Sequence, residues 1–135
     1  MATFKNFDAW EKAFKKRMNK TVKTAVTDLA RNIVRDTPVE TSALKSSWNT
    51  STGSPEFSFN PDKQDEGTSS LTDLESTIDS WDIYNQDLYF VTGADYAYDI
   101  EYLGWSHTKA PQGMVEINTL QWPNILKQQL NKNFT

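Results

Sequence analysis

The 135-residue chain carries 14 Lys and Arg against 18 Asp and Glu, a net charge of −4, with 37% hydrophobic and 13% aromatic residues. That length fits a single domain of about 100–150 residues, and the aromatic side chains supply enough large buried area for a modest core, which excludes wholesale disorder. The lack of cysteine removes disulfides, thiolate catalysis and cysteine-based zinc sites together. No apolar run approaches the roughly 20 residues that span a bilayer, and the opening MATFKNFDAW has no apolar signal stretch, so synthesis and retention in a cytoplasm are expected.

Phe4, Phe7, Trp10, Phe14, Met18, Val22, Ala25, Leu29 and Ile33 recur at spacings of three and four, which predicts one long helix over about residues 6–36. Asp8 and Glu11 near its start and Arg31 and Arg35 near its end suit the helix dipole, and Pro38 stops it. At about 1.5 Å per residue it is roughly 45 Å long, long enough that part of its stripe is expected to pack on another subunit unless the helix breaks near Asn19–Thr21. After a turn at Thr37–Ser42, Leu44 to Trp48 alternates as if opening a strand, and residues 50–69 read as a Ser/Thr-rich acidic loop. Leu71, Leu74, Ile78 and Trp81 predict a second helix from Ser70, with Ser70 as its cap and Asp73 closing a capping box. Ile83-Tyr84 and Leu88 to Thr92 flank Asn85-Gln86-Asp87 as a hairpin, and Gly93 ends the strand. Tyr96 to Leu103 predict a short helix closed by Gly104. Gly113 to Phe134 return to helical spacing, with Pro123 as a kink or as the first residue of a new helix. The sum is one α+β domain over 1–135: a long N-terminal helix and a C-terminal helix packed on a small antiparallel sheet, with an acidic loop and short helix inserted at about 50–80. Trp10, Trp48 and Trp81 fall on apolar faces and are expected in the core; Trp105 and Trp122 lie beside turns as candidate interface anchors.

The residue types do not assemble into a catalytic signature. His107 is the one histidine, and its neighbour Ser106 does not make a triad, whose members meet through the fold; one imidazole also leaves no cluster for zinc or iron. Asp95, Asp99 and Glu101, and the loop acids Asp62, Asp65 and Glu66, read as solvated surface charge, and the loop lacks calcium-binding spacing. Neither a phosphate loop nor a dinucleotide fingerprint is present. No cofactor, no metal and no membrane partner are expected.

Charge is unevenly placed. Residues 1–35 hold nine basic and three acidic side chains (+6), residues 36–101 two basic and fourteen acidic (−12), and residues 102–135 three basic and one acidic (+2). Lys12, Lys15, Lys16, Arg17, Lys20 and Lys23 form a candidate basic interface on the first helix. Such a row suits phosphates, but it comes with no base-reading motif; a solvated helix face, or a surface meeting acidic loops of a neighbouring subunit, accounts for it better.

Two segments, TPVETSALKSSW at 37–48 and VTGADYAYDIEYLGWSHTKAPQGMVEI at 91–117, together resemble the neck or tail-completion family of tailed bacteriophages. Pro38, Val39, Thr41, Leu44, Tyr96, Ala97, Glu101, Gly104, Pro111, Gly113 and Met114 fit its positions, and Trp48 closes the first segment. Glu40, Ser42 and Lys45 depart from the usual Asp, Gly and Arg. The resemblance implies a non-enzymatic subunit of the virion head-to-tail interface, assembled in the bacterial host cytoplasm. It implies a homo-oligomeric ring, with a hexamer favoured, placed between head-closure and tail-terminator proteins. Genomic DNA would pass through the lumen without sequence-specific binding. On that reading the loop at 50–69 orders against a neighbouring ring. The alternative is a DNA-binding or packaging accessory that uses the Lys-rich helix.

Overall fold

The computed structural model describes residues 6–38, 43–102 and 113–134. Helix α1, Phe7–Asp36, runs unbroken for 30 residues. Asn6, in extended backbone, accepts the Ala9 amide at 2.9 Å and so satisfies one of the free amides of the first turn. No break occurs at Asn19–Thr21. The Thr21 hydroxyl instead returns a hydrogen bond to the Arg17 carbonyl at 2.7 Å, and Thr27 does the same to Lys23 at 2.7 Å, so both hydroxyls are satisfied inside the helix. Thr37 leaves the helical region ahead of Pro38 and ends α1.

Strand β1, Trp48–Thr52, pairs antiparallel with β2, Leu88–Thr92, in a two-stranded sheet with Trp48 opposite Thr92 and Thr52 opposite Leu88. This corrects three expectations. Residues 45–47 form a single 3₁₀ turn, so the strand begins at Trp48 rather than Leu44. It then runs to Thr52, inside the stretch expected to be loop. Ile83-Tyr84 is no strand: the Asp82 carboxylate accepts the Tyr84 amide at 3.1 Å and the Asn85 side chain at 2.6 Å. The Gln86 amide also returns to the Asp82 carbonyl at 3.0 Å. The turn chemistry at 82–86 therefore folds on itself beneath Trp81, whose indole donates to the Gln86 carbonyl at 2.9 Å, and β2 finds its partner across residues 53–87 instead.

Helix α2, Thr68–Ser80, starts from Gly67 at φ 91°. Ser70 is not its cap but a buried residue within it, donating to the Lys45 carbonyl at 3.0 Å. The capping work falls to Asp65, whose carboxylate accepts the Gly67 and Ser69 amides at 3.2 Å each and the Ser46 hydroxyl at 2.6 Å. Asp73 closes no capping box. The Gly53 amide to Asp87 carbonyl bond at 3.0 Å sets the ladder so that Thr50 points its peptide groups away from β2. Asp73 accepts that outward N–H at 2.9 Å and Thr77 donates to the carbonyl at 3.3 Å, so α2 covers the outer edge of β1.

Short helices α3, Ala97–Tyr102, and α4, Glu116–Thr119, precede α5, Trp122–Phe134. Pro123 is the second residue of α5, where its missing amide costs nothing, so it opens a new helix rather than kinking an old one. Gly104 lies outside the described residues. The architecture is α+β, and α5 runs along α1, with Asn133 donating to Thr21 at 3.0 Å.

Two apolar clusters close on the C-terminal half of α1. One joins Ala30 to Leu74 and Ile78 of α2; the other joins Ile33 and Val34 to Leu44, Trp48, Ala94, Ala97 and Met114. Trp48 stacks on Phe90 with centroids 4.8 Å apart, and Trp81 is buried. Trp10 is not core: it remains 43% exposed, between Phe7 and Phe14 on the free part of α1. Leu74 has no exposure at all, so Leu74→Ala should lower stability by about 2–5 kcal/mol, whereas Trp10→Ala should stay within about 1 kcal/mol. Urea titrations of the two variants check this contrast; equal losses would place Trp10 in the folding core.

Candidate functional site

Most of the described motif residues meet in one place. Leu44, Trp48, Ala97 and Met114 share the second apolar cluster, and Tyr96 packs against it, edge-on to Phe59 with centroids 6.1 Å apart. Pro38 is half-buried at the end of α1. Beside the cluster, the indole of Trp48 donates to Thr37 Oγ1 at 3.1 Å while that hydroxyl donates to the Ile33 carbonyl at 2.7 Å. Val39, Thr41, Gly104 and Pro111 lie outside the described residues, as do Trp105, Ser106 and His107.

Glu101 is not the solvated surface acid that its neighbourhood suggested. Its carboxylate accepts the backbone amides of Met114 at 2.7 Å, Val115 at 2.9 Å and Glu116 at 2.7 Å. Those amides open α4, whose preceding residue Val115 offers no capping side chain, so Glu101 supplies the cap from α3. Gly113 makes the approach possible. It sits at φ 84°, and a Cβ there would lie 2.8 Å from the Glu101 carbonyl and 2.9 Å from its carboxylate. Glu101, Gly113 and Met114 therefore form one clasp that ties the end of α3 to the start of α4.

A second tie was not legible in the sequence. Asn118 is buried and donates to the Met114 carbonyl at 2.7 Å, Asp36 Oδ2 at 2.9 Å and the Asn32 carbonyl at 3.4 Å, fixing α4 to the end of α1. The only hint was a polar residue one turn after Met114 on an apolar stripe. Arg35 grips the same Asp36 with both Nε and Nη2, at 3.0 and 3.1 Å. The Arg35 hydrogen bond holds the Asp36 carboxyl below the usual carboxylate range; partial burial opposes this, and the Asn118 bond adds to it.

The basic residues divide into two groups. Lys23 donates to the Asp79 carbonyl at the end of α2 at 3.1 Å, and further along α1 Arg31 pairs with Glu75 of α2. Part of the charge asymmetry is thus resolved within the chain. Lys15 pairs with Glu11 at 3.1 Å and lies 5.6 Å over the Tyr84 ring. Lys12, Lys16, Arg17 and Lys20 are exposed and have no acidic partner among the described residues. Lys16, Arg17 and Lys20 line a groove with Lys132 and Asn133 of α5. Alongside it, Trp10, Phe14 and Phe134 enclose a pocket with Ala13 and Arg17. Phe7 and Phe14 are 69% and 41% exposed, and the stacking of Phe7, Trp10, Phe14 and Phe134 continues one aromatic row onto the last turn of α5. Periodicity places Phe7, Trp10 and Phe14 on a single face of α1; it holds no signal that the face stays exposed or that Phe134 of α5 joins it. Among the described residues no three His, Cys, Asp or Glu side chains gather to hold a metal ion, and no helix is long and apolar enough to cross a membrane.

A sequence model of the family described as "Bacteriophage HK97-gp10, putative tail-component" matches residues 2–73, which takes in α1, β1 and the first half of α2. No curated protein and no solved structure matches the chain.

Two outcomes test the ties. Glu101→Ala leaves three amides at the start of α4 without their acceptor and should cost about 2–4 kcal/mol in chemical denaturation, by the worth of charge-assisted hydrogen bonds. Because the folded Asp36 pKa is depressed, its contribution is fully present above the unfolded value of roughly 4 and is lost as pH falls through the lower folded value. Asp36→Asn should therefore be less stable than wild type at pH 7, and the gap should narrow in melts below about pH 4. A gap that stays constant down to pH 2 would remove Asp36 from the acid response.

Proposed function

Because the chain belongs to the HK97-gp10-like family of bacteriophage tail components, we propose that it is a structural subunit of the virion head-to-tail interface, forming a ring around the DNA channel and joining head-closure to tail-terminator components. A structural role in the phage tail, and hence a place in the virion, follows from the membership itself; the ring, the channel and the two neighbours are the proposal. In this role the chain performs no catalytic step.

The observation that carries the reading is the family match over residues 2–73, the part of the chain that holds the long helix. Two features of the geometry support it. The described motif residues pack into a head at one end of α1, and the other end presents rings and cations that the described residues leave exposed. Unlike surfaces on one subunit suit a head-to-tail contact, which closes into a ring when the rotation allows. The basic face of α1 then meets protein, and part of the acidic middle faces the lumen, where phosphates slide without adhering.

A second reading, a DNA-binding or packaging accessory, draws on the groove of Lys16, Arg17, Lys20 and Lys132. The two part under simple measurements. A phage lacking this protein should yield filled heads and finished tails that stay unjoined, and cryo-EM of complete particles should place the chain at ring stoichiometry in the neck. A map with the basic helix lining the channel would overturn the assigned orientation. Salt-sensitive retention on DNA that disappears when Lys15, Lys16, Arg17 and Lys20 are replaced, together with absence of the protein from particles, would favour the accessory instead.

A further inference from the structure

The exposed aromatic row at the free end of α1 has a complement on the same chain. The loop after β1 carries Phe57, 59% exposed, next to Glu56. Its backbone is held firmly although its ring is not covered. Asn49 of β1 donates to the Glu56 carbonyl at 2.9 Å and to the Ser58 carbonyl at 2.8 Å. On the other side the loop runs so close to Gly93 that a Cβ there would lie 1.8 Å from the Phe57 carbonyl oxygen. Phe57 is thus an apolar knob on a fixed base, with a carboxylate beside it. At the far end of α1, Trp10, Phe14 and Phe134 wall a pocket with Arg17 at its side, an aromatic hole with a cation beside it.

We infer that Phe57 of one copy docks in the Trp10–Phe14–Phe134 pocket of the next, with Glu56 facing Arg17. The occupant is a second copy of this chain because knob and hole match in both shape class and charge, and because the described residues leave each exposed. The contact is heterologous: every copy offers one knob and one hole at different places, so copies add in a single direction and close when the rotation per step divides a full turn. Aromatic anchors in a desolvated pocket carry most of the energy in such contacts, while the flanking pair steers the approach and fixes the register. The inference rests on the ring reading and deepens it, since it gives the acidic loop a partner within its own ring rather than in an adjacent one.

The lack of cysteine makes the test clean. Phage particles are prepared with Ser58→Cys beside the knob, with Ala13→Cys at the pocket wall, and with both, which keeps Phe57, Trp10, Phe14 and Phe134 in place, then treated with a short bismaleimide and run on denaturing gels. The doubly substituted protein should give a ladder of covalent oligomers ending at the ring number, while each single variant stays monomeric. Purified Phe57→Ala protein should also show self-association weakened by roughly tenfold or more in sedimentation, the loss expected of a central anchor. A doubly substituted protein that is present in particles but stays monomeric overturns this contact and leaves the ring reading standing. Particles that form normally without the protein overturn both. A purified protein whose tip residues are protected by duplex DNA, with no ladder, assigns the cationic groove to nucleic acid and also overturns the contact.

Discussion

Everything in the head of the molecule closes on the last four turns of α1. A two-stranded ribbon is marginal in water by itself, and no third strand joins β1 and β2 among the described residues. They persist because α2 covers one edge through Asp73 and Thr77 and because Trp48 and Phe90 stack against the wall formed by Ile33 and Val34. Helix α2 meets that wall one turn earlier, at Ala30. Helix α4 reaches it through Asn118. Removing the end of α1 would leave each of these elements with an apolar face and nothing to set it against.

Most of the described motif residues pack into this wall. Leu44, Trp48, Ala97 and Met114 are buried with it, and Glu101 with Gly113 clasps the chain that brings Met114 into place. What they build is the shape of the head. The exposed rings and cations lie elsewhere, at the start of α1, on α5 and on the loop after β1. There, Lys12, Lys16 and Lys20 have no acidic partner among the described residues, and Phe7, Phe14 and Phe57 stay exposed.

The long helix, its end before Pro38, the second and last helices and the α+β class were legible because each depends on neighbours three or four residues away. Ile83-Tyr84 misled because Asn85-Gln86-Asp87 is good turn chemistry in any context, and a strand whose partner lies across residues 53–87 leaves no local trace of that partner. Ser70 had the composition of a cap, but capping went to Asp65, which reaches the same amides from outside the helix. Trp10 shows the limit of periodicity: spacing states which residues share a face, and only the arrangement of other elements decides whether the face is buried. Glu101 was visible as a residue type, yet its three amide partners lie 13 to 15 residues away, beyond the reach of any short pattern.

An unbroken α1 of 30 residues also couples the two ends of the molecule by angle. Each residue advances the helix by about 1.5 Å and turns it by about 100°, so the direction in which Trp10 and Phe14 face is locked to the direction of Ala30 and Ile33. Inserting or deleting one residue between Met18 and Val22 would leave the head folded but swing the aromatic tip roughly a quarter of a turn around the axis. A change of seven residues would restore the facing while displacing the tip by about 10 Å. The middle of α1, where Thr21 and Ala25 are fully buried, is therefore constrained in count as well as in composition, and its length acts as a phase setting between the fold and whatever the tip meets.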